Sequence, residues 1–262
     1  MSVLKRNNVT VQGKGTTPIL FAHGFGCDQN MWRLVIPAFI DEYKIVLFDH
    51  VGAGNSELSA YDPEKYSLLD GYAADILEIV RELELRNIVF VGHSVAAMMG
   101  ILAARQAPDL FSKLVLVGPS PCYINDGNYI GGFEKEQIEE LLESLDTNHL
   151  GWSMTMAPVI MGNADRKELG EELANSFCRT DPAIARQFAR TTFLSDTRDV
   201  IASVDIPTLI LQCSQDVIAP QSVGEYLHER MPQSQLVIMK ATGHCPNLSE
   251  PEETIAAVKA FL

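Results

Sequence analysis

Three residues carry the chemistry this sequence can do: Ser94, Asp216 and His244. Ser94 sits in Gly92-His93-Ser94-Val95-Ala96, directly after the apolar run Asn87–Val91. A serine on a sharp strand-to-helix turn needs small neighbours on both sides, and Gly92 and Ala96 supply them; glycine is the commoner residue at the second position. Asp216 lies three residues past Thr208–Cys213, and His244 follows Leu236–Lys240 in Ala241-Thr242-Gly243-His244. Each has a plainer reading: a loop serine, a helix-capping aspartate, a loop histidine. Together, in the order Ser, acid, His, each just beyond a strand, they make a nucleophile, an orienting acid and a general base for acyl transfer. A fourth segment, His23-Gly24-Phe25-Gly26, follows the run Pro18–Ala22. There the backbone N–H groups of Phe25 and Val95 can converge on one developing oxyanion. The segment is too short, and lacks the lysine, for a phosphate-cradling loop.

Positioning such residues takes a parallel sheet. Pro18–Ala22, Lys44–Phe48, Asn87–Val91, Lys113–Val117, Thr208–Cys213 and Leu236–Lys240 are short, β-branched-rich runs without polar alternation, as in strands covered on both faces. Helical patterns alternate with them. Tyr72, Ile76, Ile79, Val80 and Leu83 share one face; the residues after Val95, Gln221–Arg230 and Glu250–Leu262 read as further helices. The alternation implies a doubly wound α/β sheet. Between Pro119 and Asp199 no strand is evident. Ile138, Leu141, Leu142 and Leu145 form one apolar stripe there, and Asp181-Pro182 reads as an N-cap with proline at the first helical position. A helical lid inserted in one domain is the economical reading.

Composition bounds the rest. Of 262 residues 47% are apolar and 21% charged, which suits a packed core. The net charge of −14 opposes binding to nucleic acid or an anionic membrane surface. Half of it lies between Pro121 and Val200, where 14 acids face 7 bases, and a solvated acidic surface accounts for it. Five scattered cysteines without a C-x-x-C suggest neither a disulfide framework nor a zinc site. With no apolar leader in Met1–Asn8 and no run of membrane-spanning length, the expected location is cytoplasmic.

Longer motifs carry a resemblance. His23–Gln29 (HGFGCDQ), Phe48–Ser56 (FDHVGAGNS), Val91–Val95 (VGHSV), Gly118–Tyr123 (GPSPCY) and Gly131–Glu134 (GGFE) resemble the RsbQ family over almost the whole chain. These are bacterial α/β-hydrolases of the energy-stress sigma-B pathway, related to the plant karrikin and strigolactone receptor hydrolases. The resemblance implies an α/β-hydrolase fold spanning residues 1–262 as one domain: a mostly parallel eight-stranded sheet flanked by helices, with a four-helix cap at about 121–197. It carries the triad onto Ser94, Asp216 and His244 and the oxyanion donors onto Phe25 and Val95. It further implies a pocket walled by Phe25, Tyr123, Phe133, Trp152 and Phe193, residues that core packing alone would equally explain. The Met-rich stretch Leu150–Met156 reads as core filling rather than ligand contact.

Two functions follow as expectations. One is hydrolysis of a small, mainly apolar ester or lactone through an acyl-enzyme, with no metal or organic cofactor, serving in stress signalling. The other is a receptor that binds a small hydrophobic ligand and activates a PAS-domain protein phosphatase, catalysis being secondary. Haloalkane dehalogenases and epoxide hydrolases use an aspartate nucleophile, and cofactor-free haloperoxidases and carbon–carbon hydrolases usually carry methionine where Val95 stands.

Overall fold

The computed structural model describes all residues, 1–262. Seven strands form one sheet: β1 (Thr10–Gln12), β2 (Pro18–Ala22), β3 (Lys44–Leu47), β4 (Ile88–His93), β5 (Phe111–Val117), β6 (Thr208–Gln215) and β7 (Ser234–Thr242). Their order is β1-β3-β2-β4-β5-β6-β7, parallel throughout except for β1 against β3. The helices are α1 (Val3–Arg6), α2 (Leu69–Glu82), α3 (Val95–Gln106), α4 (Lys135–Thr147), α5 (His149–Met161), α6 (Lys167–Arg179), α7 (Pro182–Phe193), α8 (Gln221–Arg230), α9 (Pro246–Ser249) and α10 (Pro251–Phe261).

Each central strand splits its side chains between two cores. Leu20, Phe90, Leu114 and Ile210 point to the face covered by α2, α3 and α8. Ile19, Phe21, Val89, Val91, Val115 and Leu209 point to the other, with Trp32, Phe39 and Val258 of α10. Because both faces are covered, the inner strands β2 and β4 are buried at every residue, and the uninterrupted apolar runs follow from that.

The expectation of eight strands is corrected to seven. Residues ahead of β1 form α1 instead: Ser2 caps it by accepting from the Lys5 N–H, and Arg6 is drawn into an ion pair with buried Asp75 of α2 at 2.9 Å. The expectation that every strand is covered on both faces fails for β7. It is an edge strand, and Val237 and Ile238 remain exposed on it.

Four helices, α4 to α7, stand between β5 and β6. The stripe seen in the sequence is buried at Ile138, Leu142 and Leu145, and Asp181 caps α7 by accepting from the N–H groups of Ala183 and Ile184. Core filling describes only part of the Met-rich stretch: Trp152 is buried and Met156 packs against the core, whereas Leu150 and Met154 are more than half exposed on the outer side of α5. No helix is long and apolar enough to cross a membrane.

Candidate active site

Ser94 is the residue between β4 and α3, with φ +56° and ψ −127°. A left-handed φ on a residue with a side chain costs free energy and persists only where the surroundings over-determine it. They do so here. A Cβ on Gly92 would lie 2.7–2.8 Å from Phe90 and the Ala96 backbone, so only glycine allows the chain to turn this tightly. Ala96 is fully buried in the core against which α3 packs, and its methyl is accommodated.

The three candidate residues converge. His244 Nε2 lies 2.7 Å from Ser94 Oγ, and His244 Nδ1 lies 2.7 Å from Asp216 Oδ2. Asp216 spends its other oxygen on the N–H groups of Ile218 (2.8 Å) and Ala219 (3.1 Å), which fixes the carboxylate plane. An acceptor carboxylate on Nδ1 sets the tautomer, leaving Nε2 as acceptor for the serine hydroxyl. Such a relay can take the serine proton during attack on a carbonyl and return it to a leaving group. Ser94 and His244 are about 5% and 4% exposed, so these bonds operate away from bulk water.

The loop bearing Phe25 is packed onto this turn. A Cβ on Gly24 would lie 2.7 Å from His93 Nδ1 and 3.2 Å from Ser94 Cβ. The Phe25 N–H donates to no group of the protein, and Val95 is the first residue of α3, where helices leave N–H groups without intrahelical partners.

Three buried histidines, unassigned from sequence, hold these loops. His50 N–H donates to His23 Nε2 (3.1 Å), so His23 Nδ1–H donates to the Gly24 carbonyl (2.9 Å); His50 Nε2–H donates to the His23 carbonyl (2.9 Å). His93 Nε2–H donates to the His244 carbonyl at 2.7 Å. Burial lowers the pKa of all three, that of His93 to about 3, with the His244 ring a further cause there. The signal available was His23-Gly24 and Gly92-His93-Ser94 themselves, but a histidine beside a site reads equally as surface.

Above Ser94 lies a cavity of about 30 Å³ lined by Phe25, Tyr123, Ile160, Phe177, Phe193 and Ile218. The Tyr123 hydroxyl is buried in this wall without a partner, and burial raises its pKa. Phe25, Tyr123 and Phe193 are brought together in this lining, with ring pairs at 6.3 and 5.2 Å. Trp152 is one layer back, stacked on Phe177 at 5.8 Å. Phe133 is corrected. It is half-buried on the far side of α4 and α5, in a surface groove shared with Leu141 and Met156. Phe177 was missed, because one phenylalanine on an amphipathic helix reads as core. Cys27 and Cys245 also line the cavity; burial raises both thiols, Cys27 to about 12, and no two of the five cysteines are joined. No group of three His, Cys, Asp or Glu side chains could hold a metal ion.

The sequence matches the alpha/beta hydrolase family over residues 19–258. It is 40% identical over 253 residues to the strigolactone esterase D14 of Arabidopsis thaliana, covering 96% of this chain and 94% of that one. It is 38% identical over 254 residues to the karrikin insensitive 2 receptor CA of Petunia hybrida, covering 97% and 94%. A solved hydrolase from Oleispira antarctica superposes with a TM-score of 0.96 at 40% identity, covering 99% of this chain and 95% of that one.

Proposed function

The chain belongs to the alpha/beta hydrolase family, and we propose that within it the protein is a serine hydrolase of small, mainly apolar esters or lactones. The observation that carries the reading is the pair of 2.7 Å contacts joining Asp216, His244 and Ser94. Ser94 Oγ attacks the substrate carbonyl carbon while His244 Nε2 takes its proton and Asp216 steadies the imidazolium. The oxyanion settles between the N–H groups of Phe25 and Val95. Collapse expels the alcohol, protonated by His244, and leaves an acyl-enzyme. Water, deprotonated by the same imidazole, then frees the acid and restores Ser94. In a lactone the expelled alcohol stays on the acyl group. No step calls on a metal or organic cofactor.

Aromatic and aliphatic walls nearest the cavity support an apolar substrate, and relatives named as a strigolactone esterase and a 3-oxoadipate enol-lactonase support ester and lactone chemistry. Residues 121–197 act as a four-helix cap within one domain. Ser94→Ala should lower turnover of p-nitrophenyl acetate by at least ~10³-fold with the fold intact by circular dichroism. Turnover within tenfold of the parent defeats the reading.

A second reading is favoured by the receptor names among the relatives. Here ligand binding by a cytoplasmic protein is the output, and the partner, as the RsbQ resemblance suggests, is a PAS-domain phosphatase of the sigma-B stress pathway. Full activation of that phosphatase by the Ser94→Ala protein would favour this reading; loss of activation favours turnover.

A further inference from the structure

His244 can face Ser94 only while its own backbone is fixed, and that backbone is held from two directions. Its carbonyl accepts from His93, next to Ser94 in the chain, at 2.7 Å. Its N–H donates to the carbonyl of Ile160 at 2.9 Å. The second partner belongs to the four-helix segment: Ile160 is near the end of α5, where the chain turns towards α6.

That corner is built to meet the base loop. Gly162 and Asn163 both adopt left-handed backbone, at φ +64° and +55°. The Asn163 amide donates from Nδ2 to two carbonyls, Met161 (3.0 Å) within the corner and Thr242 (2.9 Å) at the root of the His244 loop. Its Oδ1 accepts from Arg166 at 2.6 Å, which decides the end of the amide that faces the carbonyls. Arg166 is itself anchored beyond the base loop, to the Ser249 carbonyl (2.6 Å) and the Glu250 carboxylate (2.8 Å). A Cβ on Gly243 would collide with the Met161 carbonyl at 1.8 Å, so the backbones of the two turns are also in direct contact.

We propose that Asn163, oriented by Arg166, is a positioning residue for His244, so that the α5–α6 corner sets the alignment of the base with Ser94. The proposal rests on the reading of His244 as general base. Its consequence is that the helices over the cavity and the base form one mechanical unit. The Ile160 side chain lines the cavity while its carbonyl holds His244, and a ligand that moves α5 moves the imidazole. A displacement of the order of 1 Å between reacting groups costs roughly 10²-fold in rate, whereas substrate affinity depends on the cavity walls, which Asn163 does not line.

The test is steady-state turnover of p-nitrophenyl acetate by Asn163→Asp, Asn163→Gly and His244→Ala, with thermal melts alongside. Asn163→Asp keeps size and tolerance of left-handed backbone but turns an acceptor towards two carbonyls. Asn163→Gly keeps the backbone and removes both donors, and it carries the test if the aspartate variant fails to fold. The expected result is a fall in kcat of ~10–100-fold for Asp and ~10-fold for Gly, with KM within about twofold. If the melting temperature falls while kcat stays within twofold of the parent, or if KM rises at constant kcat, the corner merely stitches the structure and the proposal is overturned. Inactive His244→Ala beside a fully active Asn163→Gly removes the positioning role alone. Active His244→Ala removes the base as well.

Discussion

The turn at Ser94 and the four helices above it are held by opposite means. Around Ser94 the packing leaves no room: a Cβ at position 92 would come within 3 Å of the Phe90 ring and the Ala96 backbone, one at position 24 within 3 Å of the buried His93 ring, and Ser94 keeps a left-handed φ in a nearly dry site. Along α6 the apolar side chains of Leu173, Ala174 and Phe177 are buried, and the polar ties to the lower region are made by side chains: Arg33 to Glu172 at 2.7 Å and Arg179 to Asp28 at 3.5 Å at the surface, and Ser176 Oγ to the Gly26 carbonyl at 2.7 Å. Reacting atoms must be placed to a fraction of an ångström, and backbone sterics do that at the cost of strain. A wall over a small cavity must admit ligands, and exposed ion pairs of low strength allow it to part. The α5–α6 corner is the exception, where the upper region borrows the rigidity of the lower.

If that contrast holds, Gly92→Val should destabilise the fold by at least about 3 kcal/mol, because the clash is with backbone and a packed ring rather than a flexible tip. Denaturant midpoints measure it, and a loss below about 1 kcal/mol would mean the turn has slack.

An intermediate effect comes from the buried histidines of the rigid region. Unfolded, each titrates near ~6.5. Folded, burial keeps His23, His50 and His93 neutral to lower pH, His93 to about 3. Between those limits the unfolded chain binds protons that the folded chain refuses, so stability falls as pH drops below ~6.5 and is unaffected by these groups above it. The slope approaches about 1.4 kcal/mol per pH unit for each histidine. Unfolding free energies at pH 7 and pH 5 should differ accordingly, with a shallower dependence in His93→Gln. Equal values at both pH values would contradict the burial argument.

The smallest effect belongs to the upper region. Glu172→Gln breaks a pair whose side chains are 36% and 40% exposed, and should cost about 0.2–1 kcal/mol, less at high salt. A loss above 2 kcal/mol would show that α6 is bound as tightly as the turn, and the contrast would fail.

The same difference governs how much could be read in the sequence. Backbone-determined features leave compact signals: Gly92-His93-Ser94 after an apolar run, Asp216 and His244 just past the ends of β6 and β7, Asp181-Pro182 opening α7. Features made by long-range side-chain placement do not. Phe177 lies on α6 and Phe133 just ahead of α4, and tertiary packing decides that Phe177, against α5, meets the cavity while Phe133 meets a groove between α4 and α5 outside it. Asn163 reads as loop polarity until its amide is seen between two carbonyls 81 residues apart in sequence, Met161 and Thr242. The edge position of β7 and the helical α1 depend likewise on what pairs beside them, which local pattern does not encode.

The central claim is that Ser94 is the group that bonds to substrate, and covalent capture tests it most directly. The protein and its Ser94→Ala variant would be treated with an alkyl fluorophosphonate and the adduct located by peptide mass spectrometry. The account predicts a single adduct on Ser94 in the parent and none in the variant. An adduct on any other residue, or equal labelling of the variant, would contradict it.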